Sequence, residues 1–211
     1  MAGIPVEDRF LEFYISPEDE VKTDAIIQKQ FGSSHPRILV VSPGGGESWG
    51  KDAHFKRWPG PFFANLIKKI KTPFQIEAAV ILGSEREKEI GEGLVRLLDL
   101  PSANLAGKVS ILEACALLEK SVLFMGNDGG LAHLARAARI PLIAFYGPVD
   151  PQVYGPYPSS PEAVAVFKES LECRPCYKEF RYQSDCPHRN CLQDLTPEEV
   201  FEKIPSLMKK A

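Results

Sequence analysis

Five short apolar runs, separated by helix-like segments, constrain the fold of this 211-residue chain more than any other feature. The runs have four or five residues each, show no alternation of polar and apolar side chains, and lie close to Gly, Pro or Asp: residues 38–42, 78–82, 122–125, 142–146 and 163–167. Such runs are typical of parallel strands that are covered on both faces of a sheet. Helices are predicted between them, at residues 62–70, 85–98, 111–120 and 131–139, and Ser110 with Glu113 forms a capping box at the start of the third. The alternation predicts an α/β fold with a doubly wound parallel sheet.

The two ends of the chain differ from this alternating region. A helix is predicted over residues 18–31, and another is predicted to begin after Thr196, where Pro and Glu follow at the first and third helical positions. Between residues 167 and 191 the sequence becomes irregular and rich in cysteine. We expect a helical lead-in over residues 1–34 and one domain over 35–211, which includes the cysteine-rich segment 173–191 and the C-terminal helix.

The composition is that of a soluble globular protein, with 44% hydrophobic and 25% charged residues. The longest apolar runs are much shorter than the roughly 20 residues that a membrane-spanning helix needs. The first residues show neither the basic region nor the apolar core of a signal peptide, so the expected compartment is the cytoplasm.

The charge of the chain argues against a nucleic-acid partner but allows a small anionic ligand. The net charge is −3, whereas dedicated nucleic-acid binders usually have a strong basic excess. Residues 35–71 nevertheless contain seven Lys or Arg and only two acidic residues. Such a local basic field suits a small anion better than a polyanion. Lys68, Lys69 and Lys71 are expected to form a solvated helix face.

A glycine-rich turn follows the first predicted strand. In Pro43-Gly44-Gly45-Gly46, three residues without side chains would let backbone N–H groups approach an anion, and ligands of open α/β sheets bind at the carboxyl ends of strands. The turn matches neither the dinucleotide nor the P-loop motif, so a mobile surface loop is the alternative. In the segment that follows, Lys56 can place a charge beside a phosphate, and Trp58 is expected to pack in the core.

A second glycine-rich junction follows the strand at residues 122–125. It reads Gly126-Asn127-Asp128-Gly129-Gly130 and leads into a helix whose amino-terminal end can bind phosphate. Asp128 is predicted to cap that helix and, as an acceptor, to hold a sugar or ribose hydroxyl. His133 is expected to be neutral there and to donate to a diphosphate or a sugar, unless it is only a packed or surface histidine.

The stretch GNDGGLAHLARAARIPLIAFYGPVDPQVYGP resembles the signature of glycosyltransferase family 9, the ADP-heptose:lipopolysaccharide heptosyltransferases. In that family an Asp-Ser/Thr-Gly-x-x-His turn precedes an Ala-rich helix, an apolar strand and a Phe-Gly-Pro-Thr-Asp-Pro loop. Three earlier segments are similar to further family motifs. Lys56-Arg57-Trp58-Pro59 resembles Lys-x-Trp-Pro, residues 82–85 resemble Gly-x-x-Glu, and residues 104–110 resemble Leu-x-Gly-x-x-Ser/Thr. The resemblance covers about residues 35–204, with the motifs in the family's order.

The resemblance implies the Rossmann-like, donor-binding half of a GT-B glycosyltransferase. The implied reaction transfers a heptose or related sugar from an ADP-sugar to a lipopolysaccharide-core acceptor, with inversion and without a metal. The acceptor and the general base would belong to an N-terminal half that this chain does not resemble, so the isolated chain is expected to be inactive. Peripheral association with the cytoplasmic face of the inner membrane is also implied. The alternatives are a non-catalytic nucleotide-binding module that needs a partner chain, and a flavodoxin-like domain that binds another phosphate.

The resemblance also assigns roles to individual residues of the donor site. Lys56 would contact the diphosphate, and Asp128 would contact the sugar. Glu85 would hold the ribose hydroxyls, while Lys108 and Val109 would lie against the adenine.

The phosphates would be held by the amides of Gly129 and Gly130 together with His133. Gly129 stands where the family usually has Ser or Thr, so a hydroxyl bond to phosphate is lost. The loop over residues 43–55 looks longer than in the family. The roles of its neighbouring candidates are therefore left open: Ser42, Gly44, Gly45 and Gly46.

Four cysteines near the C-terminus have a spacing that permits a metal site: Cys173, Cys176, Cys186 and Cys191. A CxxC pair with two further cysteines can bind zinc tetrahedrally, although the second spacing is not CxxC. Reduced thiols are an equal alternative, and disulfides are disfavoured in the cytoplasm. His188 could take the place of one of these cysteines as a metal ligand. Cys115, in a helical pattern, is expected to be a buried apolar residue.

Overall fold

A six-stranded parallel sheet runs through the middle of the molecule, as the apolar runs predict. The structure is a computed structural model that describes residues 10–33, 35–178, 181–182, 186–204 and 207. The strand order is β3-β2-β1-β4-β5-β6, and each neighbouring pair is parallel. The strands are β1 (Ile38–Ser42), β2 (Ala78–Ile81), β3 (Ser102–Asn104), β4 (Ser121–Asn127), β5 (Leu142–Phe145) and β6 (Ala163–Val166).

Helices cover both faces of this sheet. They are α1 (Pro17–Phe31), α2 (Gly60–Ile70), α3 (Lys88–Val95), α4 (Ile111–Glu119), α5 (Gly130–Ala137), α6 (Pro151–Tyr154), α7 (Asn190–Gln193) and α8 (Pro197–Glu202). Two 3-10 helices, Gly50–Lys56 and Glu85–Glu87, precede α2 and α3. A separate antiparallel hairpin joins β7 (Tyr177–Lys178) and β8 (Arg181–Tyr182). The predicted N-caps are confirmed, since the side chains of Ser110 and Thr196 accept the expected amides of α4 and α8.

The two faces of the sheet bury separate apolar clusters. Val41 of β1 packs in one cluster with Phe63 of α2, whereas the preceding Val40 packs in the other with Ile27 of α1 and Leu117 of α4. Successive residues of a strand point to opposite faces. Because both faces are covered, every residue of β1 is buried, and this explains why the run has no polar alternation.

The basic residues at the end of α2 lie at the surface, as predicted. Lys69 pairs with Glu198 at 3.1 Å, and Lys71 pairs with Asp99 at 3.2 Å. Lys68 is exposed. These charges are therefore solvated or paired with carboxylates at the surface.

Several short elements were not predicted. The edge strand β3 has three residues with polar ends, so it lacks an apolar run, and the predicted helix over 85–98 divides into the 3-10 turn and α3. The 3-10 helix Gly50–Lys56, α6, α7 and the β7–β8 hairpin are also additions. Each of them is too short for periodicity to reveal it.

Helix α1 packs onto the domain that follows it. Its Ile27 is buried, and its Asp24 carboxylate forms an ion pair with Lys120 at 2.8 Å. The boundary between residues 34 and 35 stays a prediction, because residue 34 lies outside the described residues, as do residues 1–9, where a signal peptide was not expected. In the described part of the chain, no helix is both long and apolar enough to cross a membrane.

Candidate functional site

A cavity of about 400 Å³ lies at the carboxyl ends of β1 and β2, and we call it the switch-point cavity. From β1 the chain first builds the sheet outward through β2 and β3, and then returns to place β4 on the other side of β1. Open α/β sheets bind ligands at this topological switch point. The lining includes five of the candidate donor-binding residues: Ser42, Gly46, Val109, Gly129 and Gly130.

The glycine loop, residues 43–46, is held by a buried carboxylate that the sequence analysis did not single out. Glu87 accepts the N–H of Gly46 on Oε1 and the N–H of Ser84 on Oε2, both at 2.8 Å. A Cβ on Gly44 would overlap the Glu87 carboxylate, and Gly45 has φ +82°. Glycine is therefore needed at Gly44 for space and at Gly45 for its backbone conformation. Glu87 itself lines the switch-point cavity.

Lys56 and Asp128 form a buried ion pair beside the glycine loop. Lys56 Nζ lies 2.7 Å from Asp128 Oδ2, and the side chains are 6% and 10% exposed. Lys56 Nζ also lies 5.2 Å from the centroid of the Trp49 ring. The structure thus brings together the two charged residues that the motifs predict for the diphosphate and for the sugar of one donor.

The predicted helix cap at Asp128 is wrong. The N-cap residue of α5 is Gly129, and no side chain caps the helix there. The Asp128 carboxylate turns to the Lys56 ammonium instead, because a buried charge needs an opposite charge close by. The amino-terminal end of α5 is left without a side-chain acceptor and faces the switch-point cavity through Gly129 and Gly130.

Asn127 connects the two motifs, although no sequence pattern pointed to it. Its Nδ2 donates to Pro43 O at 2.7 Å, and its Oδ1 accepts from Trp58 N at 2.9 Å. Asn127 is 1% exposed, so both polar ends of its amide need partners within the protein. The sequence feature that could have revealed Asn127 is an amide side chain at the end of an otherwise apolar strand.

Trp58 is a core residue, as predicted. It is 2% exposed, its ring stacks on Phe145 with centroids 4.1 Å apart, and its Nε1 donates to Leu195 O at 2.8 Å. The neighbouring Arg57 donates from Nε to Gly44 O at 3.0 Å. The Lys-Arg-Trp-Pro segment is therefore fixed on one side by the core and on the other by the glycine loop.

Seven of the predicted donor-binding residues do not line the switch-point cavity: Lys56, Asp128, Gly44, Gly45, Glu85, Lys108 and His133. The first four belong to the buried ion pair and to the glycine loop beside it. The Glu85 side chain is 68% exposed and lies 3.7 Å from Lys88 Nζ. Lys108 is exposed and donates to Asn104 O at 2.8 Å. His133 is half-buried on α5. The structure places these side chains next to segments that line the cavity, but not in its wall.

Gly129 allows the glycine loop to approach α5 closely. Its φ is 173°, which is extended backbone that any residue can adopt. A Cβ at this position would, however, lie 3.2 Å from Gly45 O, closer than such atoms usually approach. Gly129, which stands where the family has Ser or Thr, thus lies where the glycine loop packs against the start of α5.

The four C-terminal cysteines line one cavity of about 260 Å³, which we call the thiol cavity. All five cysteines are free thiols, and Cys115 is buried in α4 as predicted. Among the described residues, no group of three or more His, Cys, Asp or Glu is arranged to hold a metal ion. The four cysteines that the spacing groups together thus lie around one cavity, and the His188 ring lies with them in its wall.

Hydrogen-bond donors already point at two of these sulfur atoms. The N–H of Arg189 donates to Cys186 Sγ at 3.2 Å, and a hydrogen bond from Tyr182 lowers the pKa of Cys176. Burial outweighs that bond and raises the pKa of the Cys176 thiol, and it raises the pKa of Cys191 to about 11. At neutral pH and without a metal, Cys176 and Cys191 are therefore protonated.

The family model for glycosyltransferase family 9 (heptosyltransferase) matches residues 2–186. The chain belongs to glycosyltransferase family 9. Lipooligosaccharide heptosyltransferase 2 of Haemophilus influenzae is 30% identical over 212 residues, which cover 98% of this chain and 57% of that protein. Lipopolysaccharide heptosyltransferase 2 of Salmonella typhimurium is 28% identical over 160 residues, which cover 74% of this chain and 43% of that protein. This family 9 chain spans about half the length of the curated relatives it matches.

Solved glycosyltransferase structures have the same fold. The E. coli ADP-heptose lipopolysaccharide heptosyltransferase II gives a TM-score of 0.68 at 24% identity, covering 98% of this chain and 56% of that one. The family 9 glycosyltransferase of Veillonella parvula gives 0.73 at 19% identity, covering 97% and 56%. The iron-containing dodecameric glycosyltransferase TibC of E. coli gives 0.59 at 21% identity, covering 83% and 47%. The predicted Rossmann-like half of a GT-B glycosyltransferase is confirmed.

Proposed function

We propose that this chain is the donor-binding half of a heptosyltransferase, and that the switch-point cavity takes the ADP moiety of an ADP-sugar. The observation that supports this most directly is the buried Lys56–Asp128 pair beside the uncapped start of α5. Solved relatives include the E. coli heptosyltransferase WaaC with ADP and TibC with ADP-D-β-D-heptose. Sugar transfer to a lipopolysaccharide-core acceptor, with inversion, is part of the proposal.

Different residues would contact the adenine, the ribose and the phosphates of the donor. The adenine would lie against an apolar wall that includes Val109, Ile111 and Ala114. Glu87 is the carboxylate placed to accept ribose hydroxyls, because it lines the cavity and each of its oxygens has a second lone pair beyond the amide that it accepts. Contact of Glu85, Lys108 and His133 with the donor stays a prediction.

The phosphates would lie at the amino-terminal end of α5. The backbone of Gly129 and Gly130 and the positive end of the helix favour an anion there. Negative charge develops on the diphosphate as the bond from the sugar carbon to the phosphate oxygen breaks, and the Lys56 ammonium would stabilise it. Asp128 would fix that ammonium and accept a hydrogen bond from a sugar hydroxyl. We propose that these residues stabilise the leaving group without a metal.

The acceptor and the general base are proposed to come from an N-terminal half. We expect the chain alone to be inactive, to act in the cytoplasm and to associate peripherally with the inner membrane. A non-catalytic nucleotide-binding module is the alternative, favoured by Gly129 in place of Ser or Thr. Adding a separately expressed N-terminal half of a family 9 relative, together with ADP-heptose and acceptor, would separate the two: release of ADP indicates an enzyme half, and none indicates the module.

The first test is calorimetric titration of the chain with ADP, UDP and GDP. We expect selective binding of ADP, weakened by about 1–3 kcal/mol in Lys56→Met, the range for losing a hydrogen bond from a charged group. Lys51→Met is the matched control, because Lys51 is exposed at the other end of the same 3-10 helix and should not affect ADP affinity. Wild-type protein that binds none of the nucleotides would contradict the donor-site proposal. Equal ADP affinity in Lys56→Met would remove Lys56 from the site.

We also propose that the four thiols of the thiol cavity close around a structural metal ion such as zinc or iron. Thiolates suit both metals, and the donors to Cys176 and Cys186 are of the kind that surrounds metal-bound sulfur. The sulfur atoms would have to move together, which the short elements around them permit. TibC, which shares the fold, is described as iron-containing.

Metal content per purified chain tests this second proposal. We expect about one metal ion per chain in the wild type and in Cys115→Ser, because Cys115 lies in α4 away from the cavity, and little metal in Cys176→Ser. Metal-free protein in which the thiols of the cavity all react freely, also after incubation with zinc or iron(II), would contradict it.

A further inference from the structure

An aromatic contact joins the cysteine-rich segment to the segment that presents Lys56. The ring of Tyr177 in β7 stacks on Trp49 with centroids 4.4 Å apart and an interplanar angle of 22°. Tyr182 in β8 stacks on Phe55 in the same way, at 4.5 Å and 22°, and also contacts Trp49 at 5.8 Å. The hairpin thus lies against residues at both ends of the 3-10 helix Gly50–Lys56.

Lys56 is the last residue of that 3-10 helix, so the core fixes the chain after it through Trp58, whereas the chain before it, from the glycine loop to Lys51, is weakly held. Gly45, Gly46 and Gly50 have positive φ, and the residues from 47 to 51 are exposed apart from Trp49. Trp49 is half-buried, so its ring is the main apolar anchor of this stretch. The same ring lies 5.2 Å from Lys56 Nζ, a separation at which a cation is attracted to an aromatic face.

We infer that Tyr177 is a positioning residue for phosphate binding, which acts through Trp49 to hold Lys56 beside Asp128. Tyr177 itself does not line the switch-point cavity, so its effect must pass through the Trp49 ring. This inference rests on the proposed donor site. It gives the cysteine-rich segment a role in the donor site that the four thiols alone do not explain.

The inference predicts an effect confined to the phosphates of the ligand. ADP and adenosine share the adenine and the ribose, but only ADP can meet the Lys56 ammonium. Tyr177→Ala should therefore weaken ADP binding about tenfold, which corresponds to 1.4 kcal/mol, and leave adenosine binding unchanged. Tyr177→Phe retains the stacked ring and should bind ADP like the wild type.

Tyr154→Ala is the matched control. Tyr154 contacts Tyr177 edge-on at 5.9 Å and, among the described residues, makes no ring contact with Trp49. General loosening of the aromatic cluster would weaken ADP binding in both alanine variants, whereas positioning through Trp49 affects only Tyr177→Ala. Should Tyr177→Ala fail to fold, Trp49→Leu removes the same link and must give the same difference between ADP and adenosine.

A double-mutant cycle decides whether Tyr177 acts through Lys56. In Lys56→Met the ammonium is gone, so adding Tyr177→Ala should cause no further loss of ADP affinity. Additive losses, equal losses for ADP and adenosine, or wild-type ADP affinity in Tyr177→Ala would each overturn the inference while leaving the donor site in place. Wild-type protein that does not bind ADP would overturn both the donor site and this inference.

Discussion

The switch-point cavity is walled by the ends of long elements, whereas the thiol cavity is walled by short ones. Strands β1 and β4 have five and seven residues, and helices α4 and α5 have nine and eight. Around the thiols, β7 and β8 have two residues each and α7 has four. The first cavity thus takes its shape from strands and helices of the central sheet, and the second from short elements outside that sheet.

The difference shows where each region obtains its stability. A two-stranded hairpin is marginal by itself, so the cysteine-rich segment relies on a few specific contacts. Chief among them is the guanidinium of Arg174, which donates to four backbone carbonyls: Gly147 at 2.5 Å, Lys168 at 2.8 Å, Val149 at 3.0 Å and Tyr146 at 3.2 Å. Burial lowers the pKa of Arg174, yet these acceptors and the Phe167 ring at 4.8 Å accommodate its charge.

Of the variants considered, Arg174→Met should lower the free energy of unfolding most, and it should act on the cysteine-rich segment. In Arg174→Met four part-buried carbonyls lose their donors, so we expect a loss of about 3 kcal/mol in the free energy of unfolding. Urea denaturation followed by circular dichroism measures it. Arg96→Met, at an exposed position after α3, should change stability by less than about 0.5 kcal/mol. If the two variants prove equally stable, the segment is held by contacts other than Arg174.

A change at Gly44 should give an intermediate effect, confined to the switch-point cavity. The new methyl group in Gly44→Ala would overlap the Glu87 carboxylate and displace it from the amides of Gly46 and Ser84. We expect a loss of about 1–3 kcal/mol in stability and weaker ADP binding. Gly93→Ala is the control, since its Cβ would meet only Arg96 Nη2 at 3.9 Å. Unchanged ADP affinity in Gly44→Ala would separate Glu87 from the donor site.

Substitutions at Gly129 should have the smallest effect on ADP affinity, and they allow two closely similar variants to be compared. Gly129→Ala and Gly129→Ser add the same Cβ, 3.2 Å from Gly45 O, so both should shift the glycine loop by the same small amount. Only serine adds a hydroxyl that can donate to phosphate, worth about 0.5–1.5 kcal/mol. We therefore expect calorimetry to show tighter ADP binding in Gly129→Ser than in Gly129→Ala. Equal affinities would place the phosphates away from Gly129.

Much of the fold follows from local patterns in the sequence. The apolar runs predicted five of the six strands within a few residues, and the capping residues Ser110 and Thr196 marked the starts of α4 and α8. The edge strand β3 escaped prediction because a short strand with polar ends has no period to detect. The motifs also placed Lys56 and Asp128 at one site, since parallel strands end at the same edge of a sheet.

Only the tertiary structure decided which side chains meet. Glu87 rather than Glu85 lines the cavity because a single turn of 3-10 helix sets which of the two carboxylates points inward. Asn127 bonds Pro43 across 84 positions of the chain, and Asp128 turns from its helix to Lys56. By itself the sequence determined five of the six parallel strands, the starts of α4 and α8 and the edge where ligands bind, because these follow from local propensity and period. Partners across the sheet depend on strand register and loop conformation, which form only when the chain packs.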